Sequence, residues 1–306
     1  MPRASRLRAE QMPPATLRIL LLGSATTASE AARLTGLLEA DGHEVVRVVQ
    51  ESDEPVDTAA TSSVLNAADL VIVLGGDGSI LRAARWMGYA QVPVLGINLG
   101  RLGFLADTAP RQAEQAIAEL RAGRFQLVEH MMLECELRRG QTVRKELGLN
   151  EVSLLAGPPF TMIEIELVVD GEPATIYRAD GLIVSTPAGS TAYNLSAGGP
   201  IVRKDMDAFV FTPLNPHTLT NRTVVDSAAR SYELRVPRPN PGSACVVDGR
   251  VISSLVAGDS ILVRRAEPRF VLVEIGHQSY YSTLREKLGW GGGLQAAAST
   301  PPRGAS

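Results

Sequence analysis

The sequence predicts a doubly wound α/β domain followed by a β-rich, sandwich-like domain. Three observations carry that expectation. From residue 17 to about 124, short apolar runs alternate with segments whose apolar residues recur every three or four positions. The runs themselves, such as "LVIVL" at 70–74, are continuously apolar, as parallel strands covered on both faces require. From about residue 125 the period shortens to two, and turn residues separate β-branched runs.

In order, "TLRILLLGS" reads as a buried strand. "SEAARLTGLLEADG" reads as a helix, with an acid in its first turn and Gly42 where it would stop. "HEVVRVV" and "ADLVIVLGG" read as the next two strands, taken one directly after the other. "SILRAARWM" is a helix, "VPVLGINLG" a strand, and "PRQAEQAIAELRAG" a helix opened by Pro110. Then come "MMLECELRRG", "EVSLLAG", "TMIEIELVVDGEPATIYRADGLIVS", "SYELRVP", "ACVVDGRVIS" and "SILVRRA", all strand-like. The Asp170-Gly171 pair marks a hairpin. The expected layout is a tail at 1–15, the α/β domain at 16–124 and the β-rich domain at 125–276. A C-terminal segment at 277–291 returns toward the first domain, and a low-complexity tail occupies 292–306.

With 306 residues the chain can build two cores, and 45% apolar against 21% charged residues excludes wholesale disorder. A net charge of −3 argues against a protein that coats nucleic acid through bulk electrostatics. The N-terminus imitates a secretory signal, but the run Ile19 to Leu22 is too short for an h-region and Arg18 interrupts it. No stretch is long enough to span a bilayer, so a cytoplasmic protein is expected. Cys135 and Cys245 lack C-x-x-C spacing. They read as two core thiols in a reducing compartment, with a disulfide as the alternative. His43, His130, His217 and His277 show no metal-ligand spacing.

Gly75-Gly76-Asp77-Gly78-Ser79 joins a strand to a helix, the geometry that holds phosphate on backbone N–H groups. Neither G-x-x-x-x-G-K-[ST] nor G-x-G-x-x-G fits it. Asp77 could simply organise the turn. Against that, Ser79 is placed to cap the helix, and an acid in a phosphate turn repels the ligand unless it has chemical work. That points to phosphoryl transfer onto a hydroxyl, with Asp77 accepting the proton. "ADGLIVSTPAGSTAYNLSAGGPIV" at 179–202 interleaves small hydroxyls, a tyrosine and an amide with glycines, either as a polar surface loop or as a nucleotide contact. Asn150-Glu151, alone, would be an ordinary turn before a strand.

Taken in this order, "GGDGS", "GINLGRLGFLAD", "LNEVSL", "DGLIVSTPAGSTAYNLSAGGPIV", "PLNPHTLTNR" and "LREKLGW" resemble the motifs of the NAD kinase family, specifically its bacterial members, across Leu17 to Trp290. The resemblance implies ATP-dependent phosphorylation of the adenosine-ribose 2′-hydroxyl of NAD, in a homodimer or homotetramer. It implies Asp77 as general base with Gly78 beside it, and Gly75, Gly76, Gly78 and Ser79 at the ATP phosphates. Phe104 would lie near the adenine, and Asn150 and Glu151 on the adenosine side. Thr191, Ala192, Tyr193, Asn194, Leu195 and Ser196 would line the adenine pocket, Tyr193 touching the base. Arg178 and Asp180 would meet the nicotinamide end, Asp180 from a neighbouring subunit. Arg250, counted with the NAD contacts, stands where many relatives carry glutamine; His130 stands where arginine is common, and Thr223 at a frequent proline site. Mg²⁺ would arrive with ATP, since no carboxylate cluster is visible. A regulator that had abandoned catalysis would have lost Asp77, and a sugar or lipid kinase would lack the 179–202 segment.

Overall fold

The computed structural model describes residues 16–50, 59–100, 103–106, 108–159, 161–218, 221–276 and 280–289. The segments read as tails at 1–15 and 292–306, with His277 and Trp290, lie outside the described residues.

Strands β1 (Arg18–Gly23), β2 (Glu44–Gln50), β3 (Leu70–Leu74) and β4 (Val94–Ile97) run parallel in the order β2-β1-β3-β4. Their alternating side chains serve two cores, as expected of strands covered on both sides. Ile19, Leu21, Leu70 and Ile72 pack with helices α1 (Ala28–Ala40) and α4 (Ala113–Arg121). Leu20, Leu22, Val71 and Val73 pack against α3 (Asp77–Met87), through Ile80, Ala83, Ala84 and Met87. One helix was missed in the sequence. Two parallel strands need a crossover, and α2 (Ala59–Ala67) supplies it between β2 and β3. Its sequence "AATSSVLNA" carries four short polar residues that compete with the helix backbone, which masked the pattern.

The second half comprises β5 (Phe125–Arg139), β6 (Thr142–Gly148), β7 (Glu151–Leu155), β8 (Ile163–Val169), β9 (Glu172–Ala179) and β10 (Gly181–Ser185), then a single helical turn, α5 (Tyr193–Ser196). After it come β11 (Ala208–Leu214), β12 (Val224–Ser227), β13 (Tyr232–Arg235), β14 (Ala244–Val247), β15 (Arg250–Ser254), β16 (Ser260–Ile275) and helix α6 (Tyr280–Leu288). An antiparallel sheet takes the order β12-β11-β10-β7-β14-β15. The other sheet continues from β4 through β16, β13, β8 and β9, with β5 and β6 alongside β16. The long strands β5 and β16 thus belong to both halves. The sequence broke β16 at "EPRF", yet the strand passes through as a register shift between Arg265 and Arg269. Pro268 sits in that shift, where no ladder N–H is required.

The two sheets close over Leu133, Cys135, Ile165, Tyr232 and Val263 from one and Leu154, Val184, Phe209, Phe211 and Cys245 from the other. The expected α/β-plus-sandwich architecture is therefore present. The expected hairpin at Asp170-Gly171 is also present, both residues having positive φ (50° and 90°), as a type I′ turn needs. Cys135 and Cys245 are buried free thiols with sulfurs 4.0 Å apart. No helix among the described residues is long and apolar enough to cross a membrane.

Candidate active site

Helix α3 begins at Asp77 itself, with Gly76 as N-cap and no side-chain cap bond. Ser79 is therefore not the cap expected from sequence. It lies inside the first turn, buried, its hydroxyl accepting from Arg82 at 2.9 Å. Gly75 has φ +147°, and a Cβ there would come within 2.2 Å of Ser79 Oγ, so only glycine fits.

The half-buried Asp77 carboxylate reaches across to a second loop. Its Oδ2 accepts the Phe104 N–H at 2.8 Å, and its Oδ1 accepts the Leu105 and Ala106 N–H groups at 3.0 Å each. A carboxylate offers about four lone-pair sites, so Oδ1 is filled and Oδ2 keeps one. Gly103 lets this loop come so close, because a Cβ there would lie 1.9 Å from Asp77 Oδ1. Lys204 Nζ holds the same loop from the other side, at 3.0 Å from the Phe104 carbonyl, and Lys287 of α6 lies over the Phe104 ring at 5.6 Å.

Asn150 and Glu151 open β7 and are buried. Asp248 accepts the N–H groups of Leu149 (2.8 Å), Asn150 (2.8 Å) and Glu151 (3.1 Å). The 185–190 turn is stitched to the same place. Thr186 N–H donates to the Asn150 carbonyl at 2.8 Å, and Thr186 Oγ1 donates to the Leu149 carbonyl at 2.6 Å. A Cβ on Gly189 would meet the Asn150 carbonyl oxygen at 2.2 Å. Glu151 Oε2 is buried without a hydrogen-bond partner among the described residues. Burial, with Asp248 beside it, pushes the Glu151 carboxyl up to about 8. At neutral pH it is a carboxylic acid, able to donate a hydrogen bond. Leu147, Leu149 and Ala188 share one core with Ile80, Ala83 and Ala84 of α3, so the face of the helix that carries Asp77 also carries the Asn-Glu step and the hydroxyl-rich turn.

The hydroxyl-rich segment divides in two. Ser185, Thr186 and Ser190 are fully buried and bonded within the fold. Tyr193, at 40% exposure, and Ser196 face outward, while Thr191, Ala192 and Leu195 are half-buried. The Asn194 side chain is fully buried, donating to the Ser190 and Pro200 carbonyls at 3.0 Å each and accepting from Thr212 Oγ1 at 2.7 Å. Only its backbone can meet a ligand.

Arg178 and Asp180 are not brought to this place. In the antiparallel register Ser185 faces Glu151 and Gly181 faces Leu155, so Asp180 sits about 17 Å along the sheet from that end. There it accepts from Asn215 at 3.0 Å with His217 at 4.0 Å, and Arg178 pairs with Glu164 at 2.8 Å. Among the described residues no group of three or more His, Cys, Asp or Glu is placed to hold a metal ion.

The ATP-NAD kinase N-terminal domain family matches residues 6–125, and the ATP-NAD kinase C-terminal domain family matches residues 149–275. The chain belongs to the NAD kinase family. The NAD kinase of Rhodopirellula baltica is 52% identical over 227 residues, 74% of this chain and 73% of that protein. That of Cellvibrio japonicus is 41% identical over 273 residues, covering 86% and 91%. Among solved structures, an NAD kinase from Archaeoglobus fulgidus in complex with ATP superposes with a TM-score of 0.71 at 27% identity, over 89% of this chain and 99% of that one. Yeast NADH kinase complexed with NADH shares the fold, with a TM-score of 0.80 at 24% identity over 94% and 90%.

Within that family frame, two departures noted in the sequence find structural reasons. Arg250 pairs with Glu146 at 2.9 Å, joining β15 of one sheet to β6 of the other, while its Nε has no hydrogen-bond partner among the described residues. His130 is fully buried near Phe270, and burial pushes it down to about 3, so it is a neutral core residue. Sequence reasoning missed Gly103, Lys204 and Asp248. Gly103 lies within the quoted "GINLGRLGFLAD" motif, where Phe104 was singled out instead, and Lys204 lies just past the 179–202 segment. Asp248-Gly249 is a doublet of the same kind as Asp170-Gly171 and carries only the signature of a turn.

Proposed function

We propose that Asp77 takes the proton of the adenosine-ribose 2′-hydroxyl of NAD as the γ-phosphoryl group of ATP passes to that oxygen. As a family member the chain is an ATP-dependent NAD kinase, and its product is NADP. The observation that carries the assignment to Asp77 is its half-buried carboxylate in the glycine turn, fixed by three N–H groups with one lone pair left over. In the step the O–P bond to the ribose forms, the bond to ADP breaks, and the hydroxyl proton goes to Asp77 Oδ2.

The N–H groups of Gly76 and Gly78 are assigned to the ATP phosphates; that of Gly75 is given to the Ile97 carbonyl at 2.9 Å, so Gly75 shapes the turn that presents them. Ser79 contributes through its hydroxyl, which accepts from Arg82 and keeps its own proton to donate, because its N–H is given to the Gly76 carbonyl at 2.9 Å. Mg²⁺ enters as part of the ATP complex and neutralises phosphate charge. Asn150 and Glu151 are assigned to the adenosine side of NAD, with Phe104 and the 191–196 turn around the adenine and Tyr193 as the exposed aromatic face. Two buried thiols left unbridged suit the reducing cytoplasm.

Asp180, with Arg178 near it, is assigned to the nicotinamide end of a site in a neighbouring copy, which calls for at least a dimer. Its distance along the sheet from Glu151 supports that arrangement. Subunits carrying Asp77→Asn, mixed with subunits carrying Asp180→Ala, then regain about a quarter of native activity, because half the dimers are mixed and each holds one intact site. No recovery overturns the shared site.

The reaction itself is tested by incubating the protein with NAD, ATP and Mg²⁺ and following the product with an NADP-specific dehydrogenase, which reads only the 2′-phosphate. A second reading, in which Asp77 merely anchors the 103–106 loop, is favoured by its three backbone bonds; the Asp77 variants treated below separate the two.

A further inference from the structure

We propose that Asp248 is a positioning residue for NAD, acting through Asn150 and Glu151. The inference rests on the assignment of those two residues to the NAD site. Asp248 itself occupies the turn between β14 and β15, with φ +47° followed by Gly249 at +77°. An aspartate in such a turn ordinarily serves its own loop. Here the carboxylate leaves its hairpin and gathers three successive N–H groups of another segment, Leu149 through Oδ2 and Asn150 and Glu151 through Oδ1. The Asp248 N–H returns a bond to the Glu151 carbonyl at 3.0 Å. The step from Leu149 to Glu151 is thereby fixed at both its donors and its acceptor.

The arrangement repeats that of Asp77, which gathers the N–H groups of Phe104, Leu105 and Ala106. Each of the two loops assigned to the adenosine end of NAD is thus held by one aspartate. The two aspartates are both half-buried but differ in surroundings: Asp77 keeps an acceptor site left over, whereas Asp248 adds a second acid beside the buried Glu151. Burial pushes Asp248 up as well, opposed by its three N–H bonds and by the Arg85 guanidinium of α3. Those N–H bonds serve the anion, so of the two carboxyls Glu151 keeps the proton. Asp248 therefore fixes the backbone that carries Glu151 and adds to the burial that keeps it a donor. Arg85 faces Asp248 from the helix whose first residue is Asp77, so the clamp and the glycine turn are parts of one packed unit.

The test compares the full-length native chain with Asp248→Asn, Asp248→Gly, Glu151→Gln and the double variant Asp248→Asn/Glu151→Gln. Asparagine tolerates the left-handed turn and keeps an oxygen for two of the three N–H groups while removing the charge. The expected result for Asp248→Asn is a KM for NAD raised about tenfold with the KM for ATP within about twofold. The pH limb that belongs to Glu151 moves down from near 8 by the share that the Asp248 charge contributes, while burial, the larger cause, holds it above the ordinary carboxylate range. In the double variant the NAD effects are less than additive, since both act on one group. A parallel rise of both KM values, an unmoved pH limb, or full additivity overturns the inference and leaves Asp248 as a turn residue. If Asp248→Asn does not fold, Asp248→Gly, which relieves the positive φ, carries the same comparison. The native pH profile of NAD binding then decides independently, and a limb near 4.5 counts against the clamp. An unchanged KM for NAD in Glu151→Gln removes the site assignment itself, a failure distinct from additivity in the double variant.

Discussion

Asp77→Asn and Asp77→Ala lose turnover to the same extent, by about 10²–10⁴-fold, the range of general-base contributions. The equality is the informative part. Asparagine keeps a carbonyl oxygen that can accept the Leu105 and Ala106 N–H groups, so most of the loop anchor survives, whereas alanine removes it altogether. If proton removal is the role of Asp77, both variants lack the base and share one turnover number, differing only in KM for NAD and in thermal stability. If Asp77 serves as an anchor alone, asparagine stays near native turnover and alanine falls. Steady-state kinetics of the two proteins distinguish these outcomes directly.

Glu151→Gln is expected to stabilise the fold while weakening NAD binding. The carboxyl, ordinarily near 4.5, is raised to about 8 in the folded protein, first by burial and then by Asp248. Between those values the native state binds a proton that the unfolded chain releases. The stability this group contributes is therefore complete below about 4.5 and falls as pH rises toward 8. Glutamine mimics the neutral acid at every pH. The two proteins then melt together in acid, and glutamine gains with rising pH, reaching about 3 kcal/mol at pH 7, or several degrees in Tm. A stability gap that stays flat from pH 5 to 8 overturns the buried-acid account. Weaker NAD binding accompanies the gain, because a partnerless buried carboxyl is stability given up for a ligand contact.

Much of this was legible in the sequence because local chemistry decided it. The continuous apolar runs around "LVIVL" could only be strands covered twice, and Asp170-Gly171 could only be a tight hairpin. The Gly75–Ser79 turn was legible for the same reason, since no side chain fits at Gly75. What escaped depends on long-range contacts. Ser79 carries the composition of a cap, yet the helix starts two residues earlier because Asp77 is pulled toward the 103–106 loop, which no local pattern reveals. Asn194 lies among ligand-like neighbours, but its direction is set by Thr212 on β11. Asp248 reads as a turn residue until β14 is laid beside β7 and its carboxylate meets Leu149, Asn150 and Glu151. Helix α2 was hidden by its serines and threonine, and only the parallel pairing of its flanking strands with β1 requires it.

The most direct measurement is the dissociation constant of NAD for Asp77→Asn by calorimetry, set beside the turnover number of the same preparation. Native-like affinity with turnover lost by two or more orders of magnitude is the predicted result, and it assigns Asp77 to proton transfer. Affinity that falls in step with turnover overturns that assignment and leaves Asp77 as the post to which the 103–106 loop is tied.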